Sequence, residues 1–294
     1  MILRYARHPD AKLVVLTFIA LLAWASAFAV IRAIAPVYSA GAMALLRFLI
    51  ASIVLALVAP RFGVHIPEKR DWPGLLLMGF GGIFVYHVAL NWGEQTVTAG
   101  SASFLVNISP IFVTMFAAIF LQEKVAALRW LGIAICVCGV GFISAGEHGG
   151  LSGVLAPGSL LIILAALGAS SYMILAKKYL NKYRTFEVTC YCIWSATIML
   201  LGFLPLLWQE LPGAPLSATM GVVYMGIVPG ALSYAIWSHV LQRLPASSAA
   251  SLLYLVPILS VVLAWLMLRE TPSSLALVGG ALVLLGVVAV NWRR

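Results

Sequence analysis

The chain reads as a succession of long apolar runs separated by short polar breaks. Runs near residues 13–34, 39–59, 72–92, 97–121, 126–144, 154–178, 186–207, 216–241, 246–268 and 274–292 are each about as long as a membrane crossing. About 20 apolar residues, rising about 1.5 Å each, cover roughly 30 Å of hydrocarbon as a helix. The runs are continuously apolar rather than alternating, and they exceed the roughly ten-residue strands of a membrane barrel. The pattern predicts an all-α integral membrane protein of ten transmembrane helices. No break is long enough to hold a soluble domain, so any function must sit among the helices or at their ends.

The pattern also repeats. Ala99, Ser101, Ala102, Leu105, Pro110, Ile111, Ala117, Leu121 and Glu123 reappear as Ala246, Ser248, Ala249, Leu252, Pro257, Ile258, Ala264, Leu268 and Glu270, always 147 positions later and without a gap. Met78-Gly79 aligns with Met225-Gly226, Gly132 with Gly279 and Gly139-Val140 with Gly286-Val287, so whole groups of helices are duplicated. Residues 1–145 and 146–294 are therefore expected to form two five-span units. Five is odd, so the second unit enters the membrane from the opposite side and the repeat is inverted. Inverted repeats are a feature of many transporters, because two pseudo-equivalent halves can exchange conformations around a shared central site.

Composition and charge sharpen this picture. The chain is 63% hydrophobic and only 9% charged, against an apolar share of about 45–50% in soluble domains. The net charge of +9 does not point to nucleic acid. With a cytoplasmic N-terminus, Arg4, Arg7, Lys12, Arg61, Lys69, Arg70, Lys124, Arg129, Lys177, Lys178, Lys182, Arg184, Arg243, Arg293 and Arg294 all fall on the inner side, leaving only Arg32 and Arg47 within spans and Arg269 in an outer loop. This asymmetry predicts both termini in the cytoplasm of a bacterial-type inner membrane. The first apolar run is too long for a signal peptide, and its loss would unbalance the halves. Cys136, Cys138, Cys190 and Cys192 lack metal-site spacing and read as packing residues inside spans.

Pro110 and Pro257 interrupt the fourth and ninth spans. Each removes an N–H and frees the carbonyl four residues earlier, at Val106 and Leu253, so both positions are expected to be hinges. Pro229-Gly230 predicts a similar break in the eighth span, opposite Gly82 in the first half. Small residues such as Gly79, Gly139, Gly279 and Gly286 are expected to let helix backbones approach closely.

The segments AGSASFLVNISPIFVTMFAAIFLQE (99–123) and ASSAASLLYLVPILSVVLAWLMLRE (246–270), each followed by a glycine-paired apolar helix, resemble the EamA repeat of the drug/metabolite transporter superfamily. Trp24-Ala25-Ser26-Ala27-Phe28 and Arg47-Phe48 are similar to the family's opening helices, and Gly168-Ala169-Ser170-Ser171-Tyr172 is a fainter echo in the second half. The chain as a whole resembles the YddG-type aromatic amino-acid exporters. The resemblance implies a ten-helix basket around a central cavity, export as the direction, and aromatic and other apolar amino acids as substrates.

Candidate substrate-binding residues follow from polarity inside spans, where ionisable groups are costly. Arg47 lies eight residues into its helix after Ser39, about 12 Å along the axis, near mid-membrane. It fits either a substrate carboxylate or free backbone carbonyls. His87 and Asn91 are one turn apart, with Tyr86 alongside. The repeat places Tyr234 on His87 and Tyr254 on Asn107, three residues before each central proline, and Trp237 lies on the side of Tyr234. Trp24 and Tyr172 sit within spans rather than in the interfacial aromatic belt. Arg32, near an outer helix end, is expected to snorkel to the headgroups.

No Walker loop, His-Glu-x-x-His or Gly-x-Ser-x-Gly motif is present, so neither an ATP-driven pump nor a recognisable hydrolase is indicated. The expected protein is a monomer without cofactor or metal, whose partners are a small-molecule substrate and membrane lipid. Asp10, Glu68, Asp71, Glu94, Glu123, Glu147, Glu187, Glu210 and Glu270 all fall in loops or at helix ends, which predicts uniport rather than proton coupling. A proton-coupled multidrug or nucleoside efflux carrier is the alternative, and a membrane-embedded transferase a third.

Overall fold

A computed structural model describes residues 11–109, 111–112, 115, 127–147, 156–243, 252–253 and 255–291. Pro110 and Tyr254 lie outside these residues. All regular structure among the described residues is helical. In chain order the segments are α1 (Ala11–Ile34), α2 (Ala40–Phe62), α3 (Lys69–Gly93), α4 (Ala99–Val106), α5 (Ala127–Glu147), α6 (Pro157–Leu180), α7 (Thr185–Gly213), α8 (Leu216–Arg243), α9 (Leu255–Leu268) and α10 (Ser274–Asn291). Six of them, α1, α2, α3, α6, α7 and α8, are long and apolar enough to cross a membrane, and shorter apolar helices lie at Trp130–Ile143, Leu255–Leu268 and Ser274–Gly286. Helices of this length and apolarity are those of a multi-pass membrane protein. Large apolar side chains face outward: Leu57 is 72% exposed and Leu216 76%. Lipid, not water, is the solvent in which such a surface is stable.

Local chemistry sets the ends of α2. Ser39 is extended, and its hydroxyl accepts from the Ala42 N–H, satisfying one of the free donors at the helix start. The Glu210 carboxylate takes the Ser39 N–H at 2.9 Å. At the other end Gly63 adopts φ 58°, a left-handed conformation that stops the helix and that any Cβ would strain.

The break expected at Pro229-Gly230 is present, and so is its counterpart. Phe80–Val85 in α3 and Gly226–Leu232 in α8 are π-helical, at matching places in the two copies. A π turn widens the helix and frees carbonyls that must be satisfied inside the membrane. In α8 the indole Nε1 of Trp24 donates to the Pro229 carbonyl at 3.0 Å, and the Ser233 hydroxyl donates to the Val228 carbonyl at 2.8 Å. The fourth predicted span breaks early: α4 ends at Val106, and Asn107 and Ile108 form a turn. Ser170 of α6 donates to the Ser109 carbonyl at 2.9 Å. In the second copy the turn at Leu253 precedes α9, so Pro257 sits in the first helical turn, where a missing N–H is tolerated.

The halves pack with two-fold reciprocity. α1 packs on α8 and α9, while its equivalent α6 packs on α3 and α4; α2 packs on α8, and its equivalent α7 on α3. Two equivalent pairs, α2 with α7 and α5 with α10, meet each other directly. The α5–α10 seam is backbone on backbone. A Cβ on Gly139 would stand 2.6 Å from the Gly279 carbonyl oxygen, and one on Gly286 would stand 2.6 Å from that of Gly132. Between these crossings the Cys136 thiol lies 3.4 Å from the carbonyl of Val283, its own repeat equivalent. The small residues therefore do what their pattern predicts.

Charges concentrate at the two ends of the bundle. At one, Lys182 pairs with Asp71 and with Glu68 at 2.8 Å, and Tyr183 donates to Asp71 at 2.6 Å. The hydrogen bonds that Lys182 donates to Asp71 and Glu68 hold its ammonium above its usual range. At the other end Arg32 is the organising cation. Its Nε donates to Glu270 Oε1 at 3.1 Å, and its Nη1 donates to the carbonyls of Glu94 and Gln95 at 2.8 and 2.9 Å. The expectation that Arg32 snorkels to headgroups is corrected here. The carbonyls ending α3 and the Glu270 carboxylate offer the guanidinium three acceptors inside the protein.

Candidate functional site

Between the halves lies a cavity with about 870 Å³ of space free of protein atoms, part of it open to solvent. Of the residues singled out from the sequence, Trp24, Arg47, Tyr86, His87, Asn107, Tyr172, Tyr234 and Trp237 all line it. They come from α1, α2, α3, the turn after α4, α6 and α8, so neither half builds the wall alone.

At its centre, Arg47 Nη1 approaches His87 Nδ1 at 3.4 Å, and His87 Nε2 lies 3.2 Å from the Tyr234 hydroxyl. A guanidinium can only donate, so Nδ1 is the acceptor, which leaves the ring proton on Nε2 to be donated to Tyr234. His87 and Tyr234 are repeat equivalents, 147 residues apart. Two equivalent residues can touch only where the pseudo-two-fold axis passes, so this pair marks the axis within the cavity. Arg47 is 2% exposed and its Nε has no hydrogen-bond partner. Among the described residues no carboxylate lies within ion-pairing distance of it. A buried cation with unused donors is costly and is satisfied by an anion.

The surrounding wall is aromatic. Trp24 stands edge-on to Tyr234 and to Trp237, with centroids at 5.6 and 5.2 Å, and Tyr172 is perpendicular to Tyr234 at 5.8 Å. Tyr86 meets His87 edge-on at 4.5 Å. Such edge-to-face contacts fix ring orientations while leaving π faces available to a ligand's ring or cation. The Asn107 amide donates to the Ser103 carbonyl at 2.9 Å, anchoring the turn that ends α4.

Asn91 is placed elsewhere. Its amide nitrogen donates to the Ala40 carbonyl at 3.0 Å, holding α3 against the start of α2, and it does not line the cavity. Phe28, Ile31, Leu90 and Met173 do line it and escaped the sequence reading. Phe28 and Ile31 follow Trp24 by four and seven residues on one helical face, a spacing that marks them once Trp24 is accepted. Each cysteine is a free thiol. No group of three metal-ligating side chains occurs among the described residues.

The model of the EamA-like transporter family matches residues 11–145 and again 156–292. The chain belongs to this family. The EamA-like chain is 38% identical over 271 residues to a probable terminal-alkyne amino-acid exporter of Streptantibioticus cattleyicolor, covering 92% of this chain and 90% of that one. It is likewise 38% identical over 267 residues to the uncharacterized transporter YdfC of Bacillus subtilis, covering 90% and 86%. A solved crystal structure, 20% identical with a TM-score of 0.64, covers 95% of this EamA-like chain and 96% of its own, which shows the shared fold. The names of family and relatives identify transporters rather than enzymes.

Proposed function

We propose that this transporter exports amino acids with aromatic or other apolar side chains by alternating access, as a uniporter. The observation that carries the reading is Arg47: a buried guanidinium with an unpartnered Nε on the wall of a largely aromatic and apolar cavity. A zwitterion presents the needed carboxylate, its ammonium suits the faces of Trp24, Tyr172 and Trp237, and its side chain takes the apolar remainder. The relative named as an exporter of terminal-alkyne amino acids supports this class, because an alkyne is an apolar side chain attached to the same zwitterion. Export follows the names of that relative and of the 24% identical pseudopaline exporter CntI of Pseudomonas aeruginosa.

The architecture proposed with it is ten spans in two inverted units, 1–145 and 146–294, in the inner membrane with both termini cytoplasmic. The reciprocal packing of the halves supports the symmetry, and the distribution of Lys and Arg supports the orientation. Pro257 and the turn at Asn107 are proposed as points of bending, together with Pro110. Counter-flow in proteoliposomes across a panel of labelled amino acids, nucleosides and cationic drugs tests the function. Counter-flow of phenylalanine or a comparable apolar amino acid is expected; transport of drugs alone would discard the substrate class.

A further inference from the structure

The Arg32 end of the bundle contains a carboxylate that the cavity does not use. Glu94 caps the end of α3, where its N–H bonds the Leu90 carbonyl at 2.9 Å and its carbonyl accepts from Arg32. A helix-end position suggests exposure, yet Glu94 is 0% exposed. Neither carboxyl oxygen has a hydrogen-bond partner. Its neighbour Glu270 accounts for the difference. Glu270 takes the Arg32 Nε–H with one oxygen, and its other oxygen stands 3.4 Å from the Ala99 N–H at the start of α4. Arg32 therefore directs its Nε and Nη1 donors to Glu270 and to two backbone carbonyls, and the Glu94 carboxyl is shut in beside them without a counter-ion bonded to it.

The charged and titratable groups that act on Glu94 are Arg32 from α1, Arg47 from α2, Glu270 from the α9–α10 connection, and Tyr86 on its own helix. Arg269 is turned away, its guanidinium 5.8 Å from the centre of the Trp265 ring. Glu210 is engaged at the Ser39 N–H. α4, α9, α10 and the first half of α6 carry no ionisable side chain. Burial dominates this balance and pushes the Glu94 carboxyl well above the usual carboxylate range; Arg32 and Arg47 oppose it and Glu270 adds to it.

The geometry points to Glu94 as a proton-binding site that links closure of the Arg32 end to uptake of one proton from the compartment on that side. With the end closed, both oxygens are dry and unpartnered, so the neutral carboxylic acid is the form that fits. Parting α1 from the α3–α4 and α9–α10 connections breaks the Arg32 bonds and admits water, and the acid ionises as the proton leaves to that same side. The closed form binds one more proton than the open one. Closure is thus fully favoured below the carboxyl's ordinary value of about 4.3, and the preference is lost as pH rises through its raised closed-state value. Between the two, the open-to-closed ratio rises tenfold per pH unit. The equivalent position in the second copy is Leu241, so the device exists at one end only. The proton returns to its own side, and the cycle carries none across.

The inference rests on the alternating-access reading but not on any substrate, and its test contains none. Spin labels are placed at the exposed positions Ala33→Cys on α1 and Gln95→Cys on the α3–α4 connection, with the exposed Cys138→Ser, in the full chain reconstituted in lipid. Distances are then recorded from pH 5 to pH 8. A short distance that gives way to a longer one as pH rises is expected, and Glu94→Gln should hold the short distance throughout. Infrared spectra of the same native samples should show the carbonyl stretch of a protonated carboxylic acid fading in step with the longer distance. This readout needs no variant, so it decides the matter should Glu94→Gln fail to insert. Distances independent of pH, absence of that band, or a Glu94→Gln protein that follows the native pH course would each overturn the proposal.

Discussion

Replacing Arg47 with methionine separates a substrate-binding arginine from a structural one. Methionine keeps an unbranched apolar stem and removes the guanidinium. In the substrate-free protein that group makes one long hydrogen bond, 3.4 Å to His87, stands 5.4 Å from the centre of the Phe48 ring, and leaves Nε unpaired at 2% exposure. Its removal therefore costs little and relieves the burial of an unpaired cation, so the unfolding temperature of the substrate-free protein should stay level or rise. Substrate binding should suffer, because a carboxylate loses hydrogen bonds to a charged donor worth about 1.5–3 kcal/mol each. A loss of about 2–4 kcal/mol raises the half-saturation concentration in counter-flow roughly 30- to 1,000-fold. The upward shift of the unfolding temperature on adding phenylalanine should vanish with it. An Arg47→Met protein that unfolds earlier when empty yet keeps its half-saturation within about threefold would refute the reasoning and make Arg47 a bracing residue.

Tyr234→Phe removes the acceptor 3.2 Å from His87 Nε2, and the orphaned ring N–H should raise half-saturation roughly fivefold in counter-flow, about 1 kcal/mol; an unchanged value would remove the phenol from the binding wall. Gly139→Ala puts a Cβ 2.6 Å from the Gly279 carbonyl and 2.8 Å from the Val283 nitrogen, both backbone, and should lower thermal stability by about 1–3 kcal/mol. Gly141→Ala, with nothing within 4 Å, should be neutral or stabilising by up to about 1 kcal/mol, and equal effects at the two positions would contradict the packed seam. An imposed pH gradient should change the rate of substrate movement but not its final distribution; accumulation above the external concentration, abolished by an ionophore, would overturn uniport.

Much of this structure is legible in the sequence because the repeat can be read twice. His87 alone is ambiguous, but its alignment with Tyr234 marks a polar pair at one depth, and the two do meet. The paired glycines that align across copies form the α5–α10 seam. What escaped depends on geometry that residue types do not encode. Asn91 shares a face with His87 by spacing, yet the carbonyl of Ala40 holds it outside the cavity. Glu94 looks like an exposed helix end, and only the placement of α1 and of the α9–α10 connection around it makes it dry. A π turn advances the side chains differently from an α turn, so faces read with a 3.6-residue period shift on crossing Phe80–Val85 or Gly226–Leu232.

The contact between His87 and Tyr234 also bears on the balance between the two halves. Two identical halves related by a two-fold axis would interconvert through states of equal intrinsic energy, and such a machine would have no resting side of its own. An imidazole opposite a phenol breaks that equality where the axis crosses the cavity. Under the proposed alternating access, exchanging the roles of the halves would put the phenol where the imidazole stood, so the proposed zwitterion would meet a different arrangement of donors in each state. The duplication supplied a reversible frame, and divergence at its axis supplies a bias.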